Sequence, residues 1–235
     1  MQPPSAADFD AGRVTNPGQS EVIRQSLYDF QLYPTAGQTQ LNFFSQPAGQ
    51  GLTSAVGATA GAAKSLSDTN LVLPNQLPSG SAFMIESIEV FFYAGSVSTA
   101  NTYTPANISL FNAAASATVA NQVNDVNTVL QSGLLELNIL QKNYLRETPI
   151  QRFPQKTGID TGGAALSSNS ATVGLTALAN ARATGRPYYI DPPVTLQPAV
   201  NFEVLLKWPG VVATGSGFNG RIGVVLDGYT MRASQ

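Results

Sequence analysis

Short runs of alternating apolar and polar residues recur along the chain and predict β-strands. The clearest two lie near the carboxyl end, at residues 202–208 and 222–226. Because successive side chains of a strand point to opposite faces, each run has one face suited to a core. We expect two long strands that close the sheet. Trp208 ends the first run, so we interpret it as a core residue rather than a sugar-binding platform.

A longer run at residues 83–93 carries apolar side chains on both alternating positions. Phe83 and Ile85 share one parity, whereas Ile88 and Val90 share the other. A regular strand keeps its buried face throughout, so the change of parity predicts a β-bulge near Glu86 and Ser87. Further strands are predicted at residues 27–33, 40–44, 107–111 and 134–141.

The segments between these runs are rich in small residues or proline. Residues 47–67 are predicted to be a long loop, with a short helix of small residues as the alternative, and residues 157–185 a second long loop with one short helical turn near Leu175 and Leu178. Residues 143–154, which contain two prolines, are predicted to lie outside any central strand. Residues 1–25 are predicted to be an extended arm, with a disordered terminus as the alternative, followed by one domain at 26–235. Roughly eight strands without a long helix predict an all-β fold, an antiparallel β-sandwich.

Composition adds a prediction about the surface. Apolar residues make up 43% of the 235 positions and charged residues only 11%, against about 25% charged in typical soluble proteins. A surface with so little charge suits contacts with neighbouring subunits, whose buried centres exclude charged residues. We therefore expect a homo-oligomer.

The chain contains no Cys and no His, which excludes disulfides, thiolate nucleophiles and catalytic triads built on imidazole. The first residues lack the basic segment and apolar core of a signal peptide. No apolar run approaches the roughly 18 residues of a membrane span. We expect no cofactor, and we expect no enzyme activity.

Three motifs have ordinary structural explanations. The glycines of residues 215–220 match G-x-G-x-x-G, but a strand rather than a helix is predicted to follow, so a turn is favoured over nucleotide binding. Glu86 and Glu89 are more typical of surface or interface carboxylates than of a glycosidase pair. Asp191 and Asp227 could supply oxygen ligands to a hard cation, but no metal-binding spacing supports a site.

Two groups of residues are candidates for a subunit interface. Basic side chains interleave with aromatic ones around the proline-bounded segment, where pairing with carboxylates of a neighbouring subunit is favoured over contact with nucleic acid. A pair of tyrosines close to prolines forms the second group. The candidate interface residues are Lys142, Tyr144, Arg146, Arg152, Phe153, Tyr188 and Tyr189.

The chain resembles bacteriophage virion proteins of the viral jelly-roll type. The resemblance rests on the Pro- and Gly-rich arm, the phrase YPTAGQTQLNFF at residues 33–44, and the runs at 83–93, 202–208 and 221–232. It implies a β-sandwich with two opposed four-stranded sheets and copies arranged in rings, and it carries over no catalytic residue. The chain is shorter than expected for two fused jelly rolls, which favours a single roll. A compact double roll is the alternative architecture.

These observations give a leading hypothesis and two rivals. The leading one is a capsid shell subunit, located in the virion, that assembles with copies of itself and with other virion proteins through its arm and small-residue loops. The first rival is a trimeric decoration or receptor-binding virion protein that recognises a glycan. The second is a carboxylate-based polysaccharide depolymerase. Pentamers and hexamers are expected for a shell subunit and a trimer for the first rival.

Overall fold

The computed structural model describes residues 20–97 except 56, 57 and 60, residues 124–156, and residues 187–233 except 216 and 218. The predicted strand at 107–111, the predicted loop at 157–185 and residues 1–19 of the predicted arm lie outside the described residues. The described residues form eight strands: β1 Ser20–Tyr33, β2 Gln40–Phe43, β3 Ser81–Val97, β4 Leu134–Ile139, β5 Lys142–Pro149, β6 Tyr188–Leu196, β7 Phe202–Lys207 and β8 Asn219–Ala233.

The strands form two four-stranded antiparallel sheets that pack against each other. The first sheet has the order β1-β8-β3-β6 and the second has the order β2-β7-β4-β5. The chain pairs from its ends inward, because β1 lies beside β8, β2 beside β7, β3 beside β6 and β4 beside β5. The predicted all-β antiparallel sandwich is confirmed.

Alternating side chains of both sheets fill the space between them. Phe202, Val204 and Leu206 of β7 and Val224 of β8 are buried there, as their spacing predicts. Trp208 is a core residue, as predicted, and its indole N–H donates to the carbonyl oxygen of Val129 at 2.9 Å. Residue 129 belongs to a helix at residues 124–132, which the sequence analysis did not predict.

The predicted bulge in β3 is confirmed. The pairing of β3 with both β6 and β8 shifts register between Ile85 and Ser87, which leaves Glu86 as the bulged residue. The bulge packs closely against β8, where a Cβ atom on Gly228 would lie 1.9 Å from the Met84 carbonyl oxygen. Glycine is required at residue 228 because any side chain there would collide with backbone.

Two features of the chain path differ from prediction. The last two strands do not close the same sheet, since β7 lies in the second sheet and β8 in the first. Alternation identifies the buried face of a strand but carries no information about which sheet it joins. In addition, residues 20–25 pair with β8, with Ser20 opposite Ala233 and Gln25 opposite Gly228. The sandwich therefore includes residues that were predicted to belong to the arm.

The predicted loop at 47–67 is part of an irregular connection over residues 44–80 that is held by hydrogen bonds and isolated β-bridges rather than by a regular strand. The prediction of a long loop there is confirmed for the residues described. No helix in the described part of the chain has the length and apolar character needed to cross a bilayer.

Candidate interaction surface

The four edge strands of the sandwich are β1 and β6 in the first sheet and β2 and β5 in the second. An open edge presents unpaired backbone groups to which another chain can add a strand. β1 and β2 lie on the same side, because the Gln31 side chain donates from β1 to the Asn42 carbonyl oxygen of β2. β5 and β6 therefore share the opposite side, and both groups of candidate interface residues lie there.

β5 is an irregular and strongly exposed edge strand. Its register against β4 shifts twice, so that Tyr144 is an extra residue and Arg146 and Glu147 together stand opposite one residue of β4. Bulges of this kind twist an edge away from flat pairing. The Lys142, Tyr144 and Arg146 side chains are exposed, and Tyr144 is 49% accessible. β5 can therefore contact another chain through its exposed side chains, but it lacks the regular backbone edge that strand addition requires.

β6 is interrupted in a different way. Four residues of β6, which include Pro192 and Pro193, stand opposite the single bulged residue Glu86 of β3. Proline removes a backbone donor, so this stretch cannot supply a complete set of ladder hydrogen bonds. Like β5, β6 is poorly suited to strand addition.

The edge of β1 is covered by the chain itself. Thr69 forms an antiparallel bridge with Asp29, and the Phe30 N–H donates to the Asp68 carbonyl oxygen at 2.7 Å. The Asn70 amide donates to the Ser26 carbonyl oxygen, also at 2.7 Å. The connection over residues 44–80 therefore occupies this edge from residue 26 to residue 30.

The structure brings together the predicted residues around β6. The Arg152 guanidinium lies 5.4 Å from the centre of the Tyr188 ring, which in turn lies 5.0 Å from the centre of the Phe153 ring. Tyr189 is 43% exposed, and the Lys156 ammonium lies 5.8 Å from its ring centre. Arg152 and Tyr188 thus form a basic and aromatic patch at the edge of β6. Tyr189 follows Tyr188 in the strand, so its side chain lies on the opposite face of the sheet, beside Lys156.

The burial of Phe153 corrects the predicted set of interface residues. Its side chain is only 1% exposed and belongs to the main hydrophobic core. Its backbone carbonyl accepts the Val90 N–H at 2.9 Å. Phe153 therefore lies beside β3, just beyond Tyr188, where the pairing of β3 with β6 stops. Phe153 supports the patch from beneath, and its aromatic character alone could not distinguish a core ring from a surface ring.

A charged network crosses the outer face of the first sheet, where Lys156 joins it to the Tyr189 ring. Asp227 of β8 accepts hydrogen bonds from Arg24 of β1 at 2.7 Å and from the Lys156 ammonium. Arg24 also pairs with Glu86 at 3.1 Å, and the backbone N–H of Lys156 donates to Glu89 at 2.6 Å. The two glutamates therefore face one side of the sheet, where protein groups already hold them.

Burial and pairing move the pKa values of these carboxyl groups in opposite directions. Burial raises the pKa of Glu89, and the Lys156 N–H offsets this only in part. Burial also opposes ionisation of Asp227, but hydrogen bonds from Lys156 and Arg24 outweigh it and lower the pKa of Asp227. Asp227 is thus the ionised hub of the network. Asp191 lies on β6, and the described residues contain no group of three or more carboxylates that could hold a metal ion.

An aromatic cluster on the same outer face was missed by the sequence analysis. Phe30 of β1 and Phe91 of β3 stand on either side of Gly223 of β8, and their ring centres are 6.0 Å apart. Tyr93 stacks on Phe30, and the Arg221 guanidinium lies 4.3 Å from the Phe30 ring centre. The signal was present in the sequence, since Phe91 and Tyr93 alternate with the core residues Val90 and Phe92.

Similarity to known proteins assigns no role to this chain. A scan against protein-family models, a search of curated proteins and a search of solved structures each found no match for the chain.

Proposed function

We propose that this protein is a structural virion protein, a capsid shell subunit with a single jelly-roll fold that assembles with copies of itself. The observation that carries the proposal is the strand order. The first strand pairs with the eighth, the second with the seventh, the third with the sixth and the fourth with the fifth. This arrangement is expected when one long antiparallel ribbon is rolled into two Greek keys. Viral capsid domains are a principal use of that fold.

Jelly rolls also occur in lectins and cupins, and the surface of this chain favours a shell subunit among them. Charged residues are scarce at 11% of the sequence. In the described part of the chain, large apolar side chains are at least 64% exposed at Leu52, Leu66, Val72, Leu140 and Val211. All of these lie in connections between strands, where contacts with neighbouring subunits would bury them.

The protected edges favour closed assembly over open fibres. β5 and β6 are interrupted by bulges and prolines, and part of β1 is covered by the connection over residues 44–80. Strand addition would produce open-ended stacking, whereas contacts made by side chains and loops can close into rings. The side chains proposed for these contacts lie on the same side of the sandwich: Arg152, Tyr188 and Tyr189 at the β6 edge, and Lys142, Tyr144 and Arg146 on the β5 edge.

The proposal is tested by imaging the purified full chain by negative-stain electron microscopy beside a variant that lacks residues 1–19. Because β1 begins at Ser20, the variant keeps every described strand. The full chain is expected to form rings or closed shells, and the variant is expected to form fewer of them because the arm is proposed to clasp a neighbour. Fields of isolated particles of single-subunit size from the full chain would overturn the proposal. A uniform population of trimers would favour a decoration or receptor-binding role.

A further inference from the structure

Lys64 and Asp29 form an ion pair that is cut off from solvent. The Lys64 ammonium nitrogen lies 2.5 Å from Oδ1 of Asp29, and the two side chains are 1% and 0% exposed. Lysine is rarely buried to this extent, because removal of an ammonium and a carboxylate from water costs several kcal/mol for each ion. This pair is therefore unlike the surface ion pairs of the chain.

The hydrogen bonds at this site suit an amide better than an ammonium and a carboxylate. A lysine ammonium has three N–H donors, yet in the described part of the chain Lys64 has Asp29 as its one side-chain partner. The nearby carboxylate of Asp68 is already held by Thr53, Ser54 and Arg221. An amide nitrogen carries a single N–H and no charge, so amide formation would remove the unmet donors.

The backbone fixes both reacting groups. Asp29 lies in β1 between Val224 of β8 and Thr69 of the connection. Lys64 is held by two backbone hydrogen bonds, since its N–H donates to the Gln50 carbonyl at 3.4 Å and its carbonyl accepts the Gly49 N–H at 2.8 Å. Well-oriented intramolecular reactions reach effective molarities of about 10⁵ to 10⁸ M, so groups held together in this way need no collision step.

A donor is also in place for the oxygen that would gain negative charge. The Phe44 N–H donates to Oδ2 of Asp29 at 2.7 Å. A fixed backbone donor of this kind stabilises the charge that develops on a carbonyl oxygen when a nucleophile attacks. Burial raises the pKa of Asp29, and pairing with Lys64 offsets this only in part, which favours transfer of a proton to the carboxylate.

We infer that Lys64 and Asp29 form an intramolecular isopeptide bond. A proton passes from the ammonium to Oδ1, and the neutral nitrogen attacks the side-chain carboxyl carbon. A C–N bond forms and the bond from carbon to Oδ1 breaks. Oδ1 leaves as one water that carries two protons, both of which came from the Lys64 nitrogen. Oδ2 stays as the amide oxygen bound to the Phe44 N–H. No oxidant, reductant or further reactant is needed.

The bond is tested by mass spectrometry of the purified full chain after incubation for several days. The denatured protein is expected to be lighter than its sequence by one water, about 18 Da. Trypsin does not cleave after an acylated lysine, and no Lys or Arg lies between Arg24 and Lys64 or between Lys64 and Lys142. The digest should therefore contain a peptide of residues 25–142 that carries the same mass loss.

Two controls make the result decisive. Lys207 pairs with Glu136 at 2.7 Å but is 37% exposed, so trypsin should cleave after Lys207 in the same digest. The variant Lys64→Arg keeps a positive charge and should have its full sequence mass. A wild-type protein of full mass, cleaved normally after Lys64, would overturn the inference and leave an ion pair only. A mass loss that persists in Lys64→Arg would also overturn it, because the water would then come from another site.

Discussion

A Cβ atom on Gly228 would lie 1.9 Å from the carbonyl oxygen of Met84 on the neighbouring strand. This approach occurs at the β3 bulge, where Glu86 is left without a partner in the pairing register. The bulge determines which side chains of β3 face the core before and after it. The contact between residues 228 and 84 therefore fixes the register of the central strands of the first sheet.

Substitution Gly228→Ala is expected to destabilise the protein by about 2 to 4 kcal/mol, because backbone must move to admit the methyl group. The measurement is urea unfolding followed by circular dichroism. Gly210→Ala is the matched control, since a Cβ at residue 210 would meet no atom within 4 Å. Equal unfolding midpoints for the two variants would contradict the close packing at the bulge.

The hydrogen bond from Trp208 to Val129 gives a second prediction. Replacement of Trp208 by Phe keeps an aromatic ring but leaves the buried Val129 carbonyl oxygen without its 2.9 Å donor, and a loss of about 1 to 3 kcal/mol is expected. Trp208 is the single tryptophan of the chain, so wild-type fluorescence should be blue-shifted and should move to longer wavelength on unfolding. Fluorescence typical of exposed tryptophan in the native protein would show that the ring is not in the core.

The lowered pKa of Asp227 predicts a dependence of stability on pH. A carboxyl group whose pKa is lower in the folded state stabilises the fold above its ordinary pKa, and this stabilisation is lost as the pH falls through the folded value. Wild-type protein should therefore lose stability below about pH 4. Asp227→Asn should be less stable at pH 7 by about 2 kcal/mol and should show a weaker pH dependence. A variant that unfolds like wild type from pH 7 to pH 3 would contradict the role of Asp227 as an ionised hub.

Glu89 should show the opposite behaviour. Its pKa is raised by burial, so its contribution is present at low pH and is lost as the pH rises through the raised value. Glu89→Gln removes the charge yet keeps an oxygen that can accept the Lys156 N–H. The variant is expected to be at least as stable as wild type at pH 7 in thermal unfolding, whereas a clear loss of stability would show that the ionised form is required.

The exposed side chains of β5 give a prediction about assembly. Tyr144→Ala combined with Arg146→Glu is expected to weaken association at least tenfold, because exposed aromatic and arginine side chains contribute strongly to interfaces. The circular dichroism spectrum should stay unchanged, since both side chains are exposed. Thr39→Ala with Gln40→Ala, at exposed positions on the opposite side of the sandwich, is the matched control. Unchanged assembly of the β5 variant would remove β5 from the proposed interface.

The strands were largely predictable where apolar and polar residues alternate strictly. The predictions that were wrong concern features that depend on contacts between distant parts of the chain. The parity change between Ile85 and Ile88 located the bulge from sequence alone, because only an extra residue can move the buried face. The assignment of β7 and β8 to different sheets depends on long-range pairing, which the pattern of a single strand does not encode. Phe153 and Tyr188 are adjacent in space but 35 positions apart in the chain, so sequence spacing could not show that their rings pack together or that Phe153 is buried.

The most direct test of the central claim is the mass of the purified full chain in solution, measured by native mass spectrometry together with light scattering at increasing protein concentration. A capsid shell subunit predicts pentamers, hexamers or larger closed assemblies in multiples of the 24.6 kDa chain. A protein that stays monomeric at the highest concentration would contradict the account.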